Sequence, residues 1–440
     1  MRSKRTIFSL FIALLLSGNL YANGLSLNSI GTNALGMGGA FVGLANDYTA
    51  IYWNPAGLSG QETGIMFFTT DVIPFATYNY DMYGISAVTK TNHYISPNIF
   101  ANYGMGAWSF GLGLYVPAGL GAEWDGNDLV AFGGPAYLDP GQTMANPFSG
   151  KTYKWRSELG VFSISPAISY QISEQLSLGV AMNVYYGMFE MDRAVDAVNI
   201  TQNPPAGGSD GMMDNQYEET SSGLGYGFTV GLKYIASEKV SFGFSFRSET
   251  KVSFDGTVTN SAFAPYGAEE SDFSRDIVWP MWLAAGIAVN PTDLITLTGD
   301  IQSSQWAESS KELVTDYKDP VWDNVIDQQG KNVMTLDWEN AIQYRFGVAL
   351  KASKDLTIRL GFYHDPAPAP DETVNILFPS STNRGLTGGF SYRMNSLEFF
   401  GAAEYLMGTK RIIEPTAENM PGEHQMDVAA ISAGLNYFFK

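Results

Sequence analysis

The sequence predicts an all-β fold: a transmembrane antiparallel β-barrel of about fourteen strands with an N-terminal plug. Many segments alternate a bulky apolar residue with a small or polar one, which is the period of a strand with two different faces. That alternation alone would also suit a sandwich with one wet face. Several strands of more than ten residues, and tight turns that alternate with long loops, favour the barrel.

The first 22 residues predict an export signal. Basic residues near the start precede an apolar core at residues 7–16, which is too short to span a bilayer, and Leu20-Tyr21-Ala22 offers a cleavage site. An uncleaved anchor is the alternative. No later apolar run is long enough for a membrane-spanning helix, so we expect an exported protein of a Gram-negative-type outer membrane.

The composition excludes several classes of protein. The 440 residues include 25 Lys and Arg against 44 Asp and Glu, which gives a formal net charge of −19 at pH 7. A chain this acidic has no basic stripe with which to replace the counterions of a nucleic acid. The absence of cysteine excludes disulfides, a thiol nucleophile and a Cys-ligated metal.

The predicted strands follow one another from residue 62 to residue 439. Residues 340–351 show the pattern well, with Ile342, Tyr344 and Phe346 on one face. The predicted ranges are 62–71, 96–103, 107–117, 157–171, 175–190, 222–235, 240–258, 276–289, 294–306, 339–351, 355–364, 384–393, 396–407 and 427–439. An even number of strands places both chain ends on the side of the short turns.

Long loops are expected on the opposite side of the barrel, the largest at 118–156, 191–221, 307–338 and 365–383. Aromatic residues near strand ends are candidates for girdles at the membrane interfaces, although core packing would explain some of them. These residues are Trp53, Trp108, Trp155, Trp279, Trp282, Trp306 and Tyr437.

Residues 23–60 do not alternate, and they hold many glycines, one acid and no base. A polar-lumen barrel of this size would leave an aqueous hole unless something filled it, so we predict that this segment is the plug. Gly36, Gly38 and Gly39 could suggest a phosphate-binding loop, but no strand precedes them and no Lys follows at the required spacing. The predicted organisation is therefore a signal at 1–22, a plug at 23–60 and a barrel at 61–440.

Short motifs, in order along the mature chain, resemble those of one family. The run Gly36-Met37-Gly38-Gly39-Ala40-Phe41 is followed by Trp53-Asn54-Pro55-Ala56-Gly57-Leu58, and later by residues 111–120, 165–170 and Trp279-Pro280. Each motif is weak alone, but the ordered set is specific. The sequence is similar to the FadL family of outer-membrane long-chain fatty-acid and hydrocarbon transporters. The large acidic loops do not match, which leaves the ligand open.

The resemblance implies a route for the ligand. An apolar groove on the third and fourth outer loops would capture it, a pocket inside the barrel would receive it, and it would leave sideways into the bilayer where the third strand kinks. The plug, which corresponds to the hatch of that family, would move to allow this. Asn54, Pro55 and Ala56 would form the hatch motif. The candidate groove residues are Met212, Met213, Tyr217, Phe263, Pro265, Tyr266 and Phe273.

The kink has a physical basis at Pro117 and Gly119. Proline cannot donate to a sheet ladder and glycine tolerates unusual dihedral angles, so the third strand should break its pairing there. An unpaired edge at membrane depth is tolerable only beside protein or a cavity, which is where a lateral opening would lie. The alternative is that Pro117 simply ends a strand.

Charged residues on the predicted inward faces are further candidates. They are Arg247, Arg345, Arg359, Asp300, Glu398 and Glu404. Enclosed charges need partners, so these residues either form a paired network between plug and wall, or leave one arginine free to hold a fatty-acid carboxylate through two hydrogen bonds. The sequence does not choose between the three arginines.

No enzymatic site, cofactor or metal is predicted. The three histidines are scattered and there is no G-x-S-x-G motif. Acidic loops could bind Ca²⁺ or bridge lipopolysaccharide, although a solvated rim is the simpler interpretation. We therefore predict a monomeric channel, in contact with outer-membrane lipid and lipopolysaccharide, for passive uptake of long-chain fatty acids or similar hydrophobic molecules. The alternatives are an outer-membrane component of a protein secretion system and an open porin.

Overall fold

A computed structural model describes residues 24–133, 151–194, 216–326 and 332–439, and the side chains of Ala262 and Pro265 are not described. The predicted signal at 1–22 and the candidate groove residues Met212 and Met213 lie outside the described residues. Among the described residues, no helix is long and apolar enough to cross a membrane.

The described elements are mostly strands. The strands are β1 Gly64–Tyr80, β2 Ile85–Val88, β3 Tyr94–Met105, β4 Trp108–Trp124, β5 Trp155–Gln171, β6 Leu176–Ala194, β7 Gln216–Ser237, β8 Val240–Arg247, β9 Thr250–Asn260, β10 Glu270–Trp279, β11 Trp282–Thr292, β12 Ile295–Ser304, β13 Glu312–Tyr317, β14 Val333–Thr335, β15 Ala341–Lys351, β16 Leu356–Asp365, β17 Asn383–Met394, β18 Leu397–Gly408, β19 Arg411–Ile413 and β20 Gly422–Phe438. The α-helices are α1 Thr32–Gly36, α2 Ala50–Trp53, α3 Trp306–Ser309 and α4 Pro320–Val325, and 3₁₀-helices span Pro55–Leu58, Asp81–Tyr83, Val130–Gly133 and Ser261–Tyr266.

The strands close into an antiparallel barrel. Each barrel strand pairs with the next barrel strand along the chain. β1 pairs with β20 from Gly64↔Phe438 to Asn79↔Glu423, which closes the ring. Two barrel strands are interrupted: one consists of β8 and β9, and the other of β10 and β11. The short strands β2, β13 and β19 extend the sheet at its long-loop end, where they pair with β1, β10 and β20, and β14 pairs with β13. The predicted all-β barrel of fourteen strands is confirmed.

The two faces of each strand differ as the alternation predicts. Phe242 and Phe244 point outward and are 44% and 48% exposed, whereas Gly243 and Ser245 point inward and are buried. The outward apolar side chains form the surface that meets lipid. Phe439 N–H donates to Thr63 O (2.9 Å) and Phe438 N–H to Ser396 O (2.8 Å), so both ends of the barrel sequence lie beside a short turn.

The strands extend further toward the long-loop side than predicted. β4 continues to Trp124, although residues 118–156 were expected to form a loop. β7 begins at Gln216 and β10 at Glu270, so Tyr217 and Phe273 lie in strands and not in loops. The predicted loop at 307–338 contains α3, β13, α4 and β14. The alternation of apolar and polar residues does not reveal these extensions, because a strand outside the membrane need not carry an apolar outer face.

Most of the predicted girdle aromatics lie inside the barrel. Trp108 and Tyr437 are each 41% exposed on the outer surface, as expected of a girdle. The girdle prediction is wrong for the other five, which are buried: Trp53, Trp155, Trp279, Trp282 and Trp306. Trp279 and Trp282 both face inward because Pro280 and Met281 interrupt the strand between them, which changes the alternation.

Candidate functional site

Residues 24–60, here called the hatch, pack against the inward faces of the barrel strands. Asn54 Nδ2 donates to Val42 O within the hatch and to Leu232 O of the wall, both at 3.0 Å. A Cβ atom added at Gly231 would lie 2.1 Å from Asn54 Oδ1, and one at Gly179 would lie 2.3 Å from Pro55 C. Wall glycines therefore provide the space that Asn54-Pro55-Ala56 occupies.

The turn at Gly38 and Gly39 requires glycine for two reasons. Both residues have positive φ angles, +65° and +68°, which L side chains rarely adopt. A Cβ atom at Gly39 would also lie 2.3 Å from Arg345 Nη1. Arg345 Nη1 donates to Gly38 O (3.0 Å), and Gln302 Nε2 donates to Gly39 O (3.1 Å). The glycines thus form the close-packed turn expected of a plug.

Charged side chains of the wall bind the backbone of the hatch. Asp300 Oδ2 accepts from Val42 N–H (2.8 Å), and Lys233 Nζ donates to Leu44 O (2.6 Å) and Ala45 O (3.2 Å). The hydrogen bonds of helices and sheets do not satisfy this N–H group or these two carbonyl groups. Because an unpaired buried backbone group is costly, these contacts stabilise the hatch in its place.

Asp47 is the one buried carboxylate of the hatch itself. It accepts from Thr49 N–H (2.9 Å), Thr49 Oγ1 (2.5 Å) and Asn33 Nδ2 (3.1 Å). Burial raises the pKa of Asp47, and these hydrogen bonds partly oppose the shift. Its bonds connect α1 to the turn before α2, which makes the hatch a compact unit.

The three lumenal arginines have different surroundings. Among the described residues, none of them makes an ion pair within 4 Å, so the predicted network does not take the form of direct charge pairs. Arg345 is buried against the hatch, and Arg359 Nη1 donates to Ser391 Oγ (3.1 Å). Arg247 donates to Tyr52 O (2.7 Å) and stacks 4.0 Å from the Tyr52 ring and 4.8 Å from the Trp282 ring.

Arg247 also lines a small cavity above the hatch. The cavity has a volume of ≈ 30 Å³ and is bounded by hatch residues 26–28, by Pro117, and by aromatic rings that include Tyr185 and Trp279. This volume holds about two water molecules. No alkyl chain fits there unless the hatch residues that bound it move.

The third barrel strand is irregular where the sequence predicts a kink. β4 pairs with β3 only up to Leu114↔Ile99, and its register with β5 shifts between Tyr115 and Ala118. The shift reverses the faces: Leu112 and Leu114 are exposed, whereas Ala118 and Ala122 are buried. Gly119 does not use a left-handed conformation, so the unusual dihedral angle expected there is absent. Pro117 does not end the strand either.

The hatch covers the edge that β3 leaves open. Leu27 N–H donates to Pro117 O (3.0 Å), Gly119 N–H donates to Leu25 O (3.1 Å), and Ser26 faces Ala118 as an isolated antiparallel pair. In such a pair a residue at 117 would normally also donate to Leu27 O, and proline cannot. In the described part of the chain, the backbone of residues 25–27 pairs with this edge at residues 117–119. On either side of that stretch, Asn98 Oδ1 accepts from Val116 N–H (3.1 Å) and Lys90 N–H donates to Glu123 O (2.7 Å).

The candidate groove residues do not form one exposed groove. Tyr217, Phe263 and Phe273 are buried, whereas Tyr266 is 63% exposed. The Phe263 ring lies 4.5 Å from the Trp322 ring, and the Tyr217 hydroxyl contacts the Tyr317 hydroxyl at 3.1 Å. These residues pack into the outer end of the lumen, against α4 and β13.

Sequence reasoning missed a buried ion pair near this cluster. Arg275 donates to both carboxylate oxygens of Glu219, at 2.5 and 2.8 Å, and both side chains are almost fully buried. Extending the period of two beyond the predicted start of β7 would have placed Glu219 on the inward face. The same signal would have identified Lys233. It would not have found Arg275, because the interruption at Pro280 and Met281 changes the alternation between β11 and β10. No group of three or more acids or histidines that could hold a metal ion occurs within the described ranges.

Comparisons with known proteins agree with this architecture. The model of the Toluene_X family, described as "Outer membrane protein transport protein (OMPP1/FadL/TodX)", matches residues 13–439. The chain is 22% identical to a long-chain fatty acid transport protein of Escherichia coli O6:H1 over 441 residues, which covers 93% of both chains. It is 21% identical to a putative outer membrane protein of Neisseria meningitidis, which covers 91% of this chain and 89% of that one.

Solved structures share the fold. A Pseudomonas aeruginosa FadL homologue matches with a TM-score of 0.74 and 14% identity, covering 95% of this chain and 100% of that one. The P. putida toluene transporter TodX matches with a TM-score of 0.69 and 16% identity, covering 94% and 99%. The resemblance drawn from the short motifs is confirmed. The protein belongs to the OMPP1/FadL/TodX family, and it is an outer-membrane transport channel and not an enzyme.

Proposed function

We propose that the protein takes up long-chain fatty acids or similar hydrophobic molecules passively, through a pocket inside the barrel and a sideways exit at β4. The observation that carries this proposal is the gap in the edge of β4 at residues 117–119, between Val116, which Asn98 of β3 bonds, and Glu123, which Lys90 bonds. Hatch residues 25–27 cover this gap. One relative is named for long-chain fatty acid transport and one solved neighbour for toluene transport, so the ligand class is hydrophobic in both.

One movement of the hatch would open both the pocket and the exit. Residues 26–28 bound the small cavity beside Arg247, and residues 25–27 cover the edge of β4. Withdrawing this segment therefore enlarges the cavity and exposes the edge together. Transfer of an alkyl chain out of water supplies about 0.8 kcal/mol per CH₂, so binding needs no other energy source.

Arg247 is the arginine best placed to hold a fatty-acid carboxylate. It lines the cavity next to Pro117, and stacking on Tyr52 and Trp282 orients the guanidinium without neutralising its charge. Arg345 also lines this cavity, but its guanidinium already donates to Gly38 O and twice to Gln343 Oε1, whereas Arg247 makes a single hydrogen bond, to Tyr52 O. Arg359 does not line the cavity.

The alternative functions have less support. A secretion-system role would be favoured by a flat outer surface without internal pockets, whereas this barrel has internal cavities. An open porin would require the N-terminal segment to lie outside the lumen, whereas Asn54 bonds the inner wall. Binding of lipopolysaccharide and a monomeric state remain predictions from the sequence.

The first prediction concerns the plug. Deleting residues 24–58 removes the hatch but leaves every barrel strand, so the protein should change from nearly non-conducting to clearly ion-conducting in planar bilayers. Asn54→Ala should give an intermediate, flickering conductance, because two carbonyl groups lose their donor. Equal conductance of the deletion variant and the native protein would show that the segment does not plug the pore.

The second prediction concerns the exit. In the double variant Pro117→Val and Gly119→Val, residue 117 regains a donor that can bond Leu27 O and fasten the hatch to the edge. The new Cβ at 119 fits, since its nearest neighbours are Leu159 O at 3.5 Å and Leu27 Cδ2 at 3.9 Å. One added bond contributes about 1 kcal/mol, so oleate uptake by cells should fall roughly fivefold.

Gly160→Val is the matched control for the exit variant. Gly160 faces Gly119 in the ladder, and a Cβ there meets nothing within 4 Å. This control should take up oleate normally. Normal uptake by a correctly inserted double variant would instead refute the lateral route and favour passage through the hatch to the periplasm.

The third prediction concerns the head group. Arg247→Gln removes a charge-assisted hydrogen bond worth about 1.5–3 kcal/mol, so the affinity for oleate should fall about tenfold or more. The affinity for oleyl alcohol should not change, and Arg247→Lys should restore part of the loss. Arg359→Gln is the control and should bind oleate normally. Equal losses for oleate and oleyl alcohol would mean that Arg247 acts only through packing.

A further inference from the structure

The barrel wall has a second interruption, on β10. β12 pairs with β11 only up to Trp282↔Ser304, and β13 pairs with β10 only at residues 273–275. Between these points, among the described residues, no strand pairs with residues 276–278 on that side of β10. Ser310 Oγ donates to Val278 O there, at 3.5 Å. We call this gap the side window.

The side window lies at the outer rim of the apolar belt. Asp276 points outward and accepts from Lys251 Nζ (2.9 Å), so charged residues surround the window on the outside. The outward residues nearer the short turns on the neighbouring strands, such as Ile287 and Phe244, are apolar. The window therefore opens where the membrane interface meets the external medium.

A large cavity lies behind the side window. Its volume is ≈ 470 Å³, roughly three times that of an engineered apolar cavity that binds benzene. Its inner wall is apolar and aromatic, formed by Phe254, Ile277, Leu313, Leu336, Trp338 and Phe378. Both the size and the apolar wall are typical of a site for a small hydrophobic molecule.

The charges around this cavity select against anions. Arg275 is the one cation among the residues that line it, and both oxygens of Glu219 already occupy its guanidinium. The mouth carries the carboxylates of Asp255, Asp276, Glu312 and Asp316. Lys251 pairs with Asp276 and Lys318 with Asp316, so the mouth keeps a net negative charge. A ligand carboxylate would meet negative charge at the mouth and find no free cation inside, whereas an uncharged molecule would lose nothing on entering.

The inner end of the cavity reaches the hatch at the open edge of β4. Leu25 lines the cavity, and its carbonyl oxygen accepts from Gly119 N–H (3.1 Å). A molecule in the cavity would therefore contact the segment that covers the proposed exit. We propose that this cavity is a binding site for uncharged hydrophobic molecules, which reach it through the side window. The proposal rests on the proposed function only for what happens after binding.

The test compares two probes that differ in charge alone, decan-1-ol and decanoate, by equilibrium binding to the full chain in lipid nanodiscs at neutral pH. Empty nanodiscs correct for partition into lipid. Ile277→Trp should fill the cavity and abolish the saturable binding of decan-1-ol while leaving decanoate binding unchanged. Leu313→Trp fills the cavity from the opposite wall and should have the same effect. This second variant keeps the test valid if one of the two fails to fold.

Ile301→Trp is the matched control, because Ile301 is 50% exposed on the outer surface and its new ring would face lipid. It should bind decan-1-ol normally. Saturable decan-1-ol binding that survives in both folded filling variants, or decanoate binding that both variants abolish, would overturn the assignment. Because the readout is binding, the Pro117→Val and Gly119→Val variant should still bind decan-1-ol, even if lateral exit itself proves wrong.

The window has its own test. The native chain has no cysteine, so Ser309→Cys, at a half-buried residue that lines the cavity, introduces a single thiol beside the gap. N-ethylmaleimide should label it in intact cells, and decan-1-ol should slow the labelling. Ser245→Cys, buried on the inward face of β8, should stay unlabelled. An unreactive thiol in the Ser309→Cys variant, or labelling that decan-1-ol does not slow, would show that ligands do not pass this gap.

Discussion

An irregular segment inside a membrane barrel must find a hydrogen-bond partner for every buried backbone group, and the rest of this structure depends on that constraint. The hatch has only short helical turns, so its own bonds leave many groups unpaired. The wall supplies the partners as charged and amide side chains: Arg345 and Lys233 for carbonyl groups, and Asp300 for an N–H group. This explains why charges occur in the lumen without direct ion pairs to the three lumenal arginines among the described residues, and why glycines line the wall where Asn54 and Pro55 approach it.

The attachment of the hatch is uneven, and the proposed function follows from this. Several wall side chains bond residues 38–45, and Asn54 donates to a wall carbonyl group. Residues 25–27 instead hold the edge of β4 through two backbone bonds, and a third is missing because residue 117 is proline. The weakly held end is also the part that bounds the cavity beside Arg247 and the inner end of the cavity behind β10. A ligand in either cavity therefore presses on the segment that covers the exit. The well-bonded part of the hatch can stay in place meanwhile and keep the lumen closed to ions.

Much of the fold could be predicted because a period of two is visible wherever one face meets lipid. The fourteen barrel strands and their short turns follow from it. The prediction fails where the strands leave the membrane, since their outer faces become polar there, and so the predicted ranges of β4, β7 and β10 are too short and do not reveal Glu219 as inward-facing. Trp279 and Trp282 were expected at an interface as aromatic residues near strand ends. Both face inward instead, because the two-residue interruption between them changes the alternation. The open edge of β4 was expected from Pro117, but its cover by residues 25–27, and the gap on β10, depend on which distant segments meet. Local sequence does not show that.

The central claim is that ligand leaves at β4 only when residues 25–27 withdraw, and a reversible lock tests it most directly. Ser26 and Ala118 face each other in a non-hydrogen-bonded antiparallel pair, whose Cα atoms are expected roughly 4.5 Å apart, within the range that a disulfide spans. In a chain without native cysteines, the double variant Ser26→Cys and Ala118→Cys can be oxidised and reduced, with each single variant as control. We predict that oxidation stops oleate uptake and that reduction restores it, while both single variants transport throughout. Undiminished uptake by the fully oxidised double variant would contradict the account.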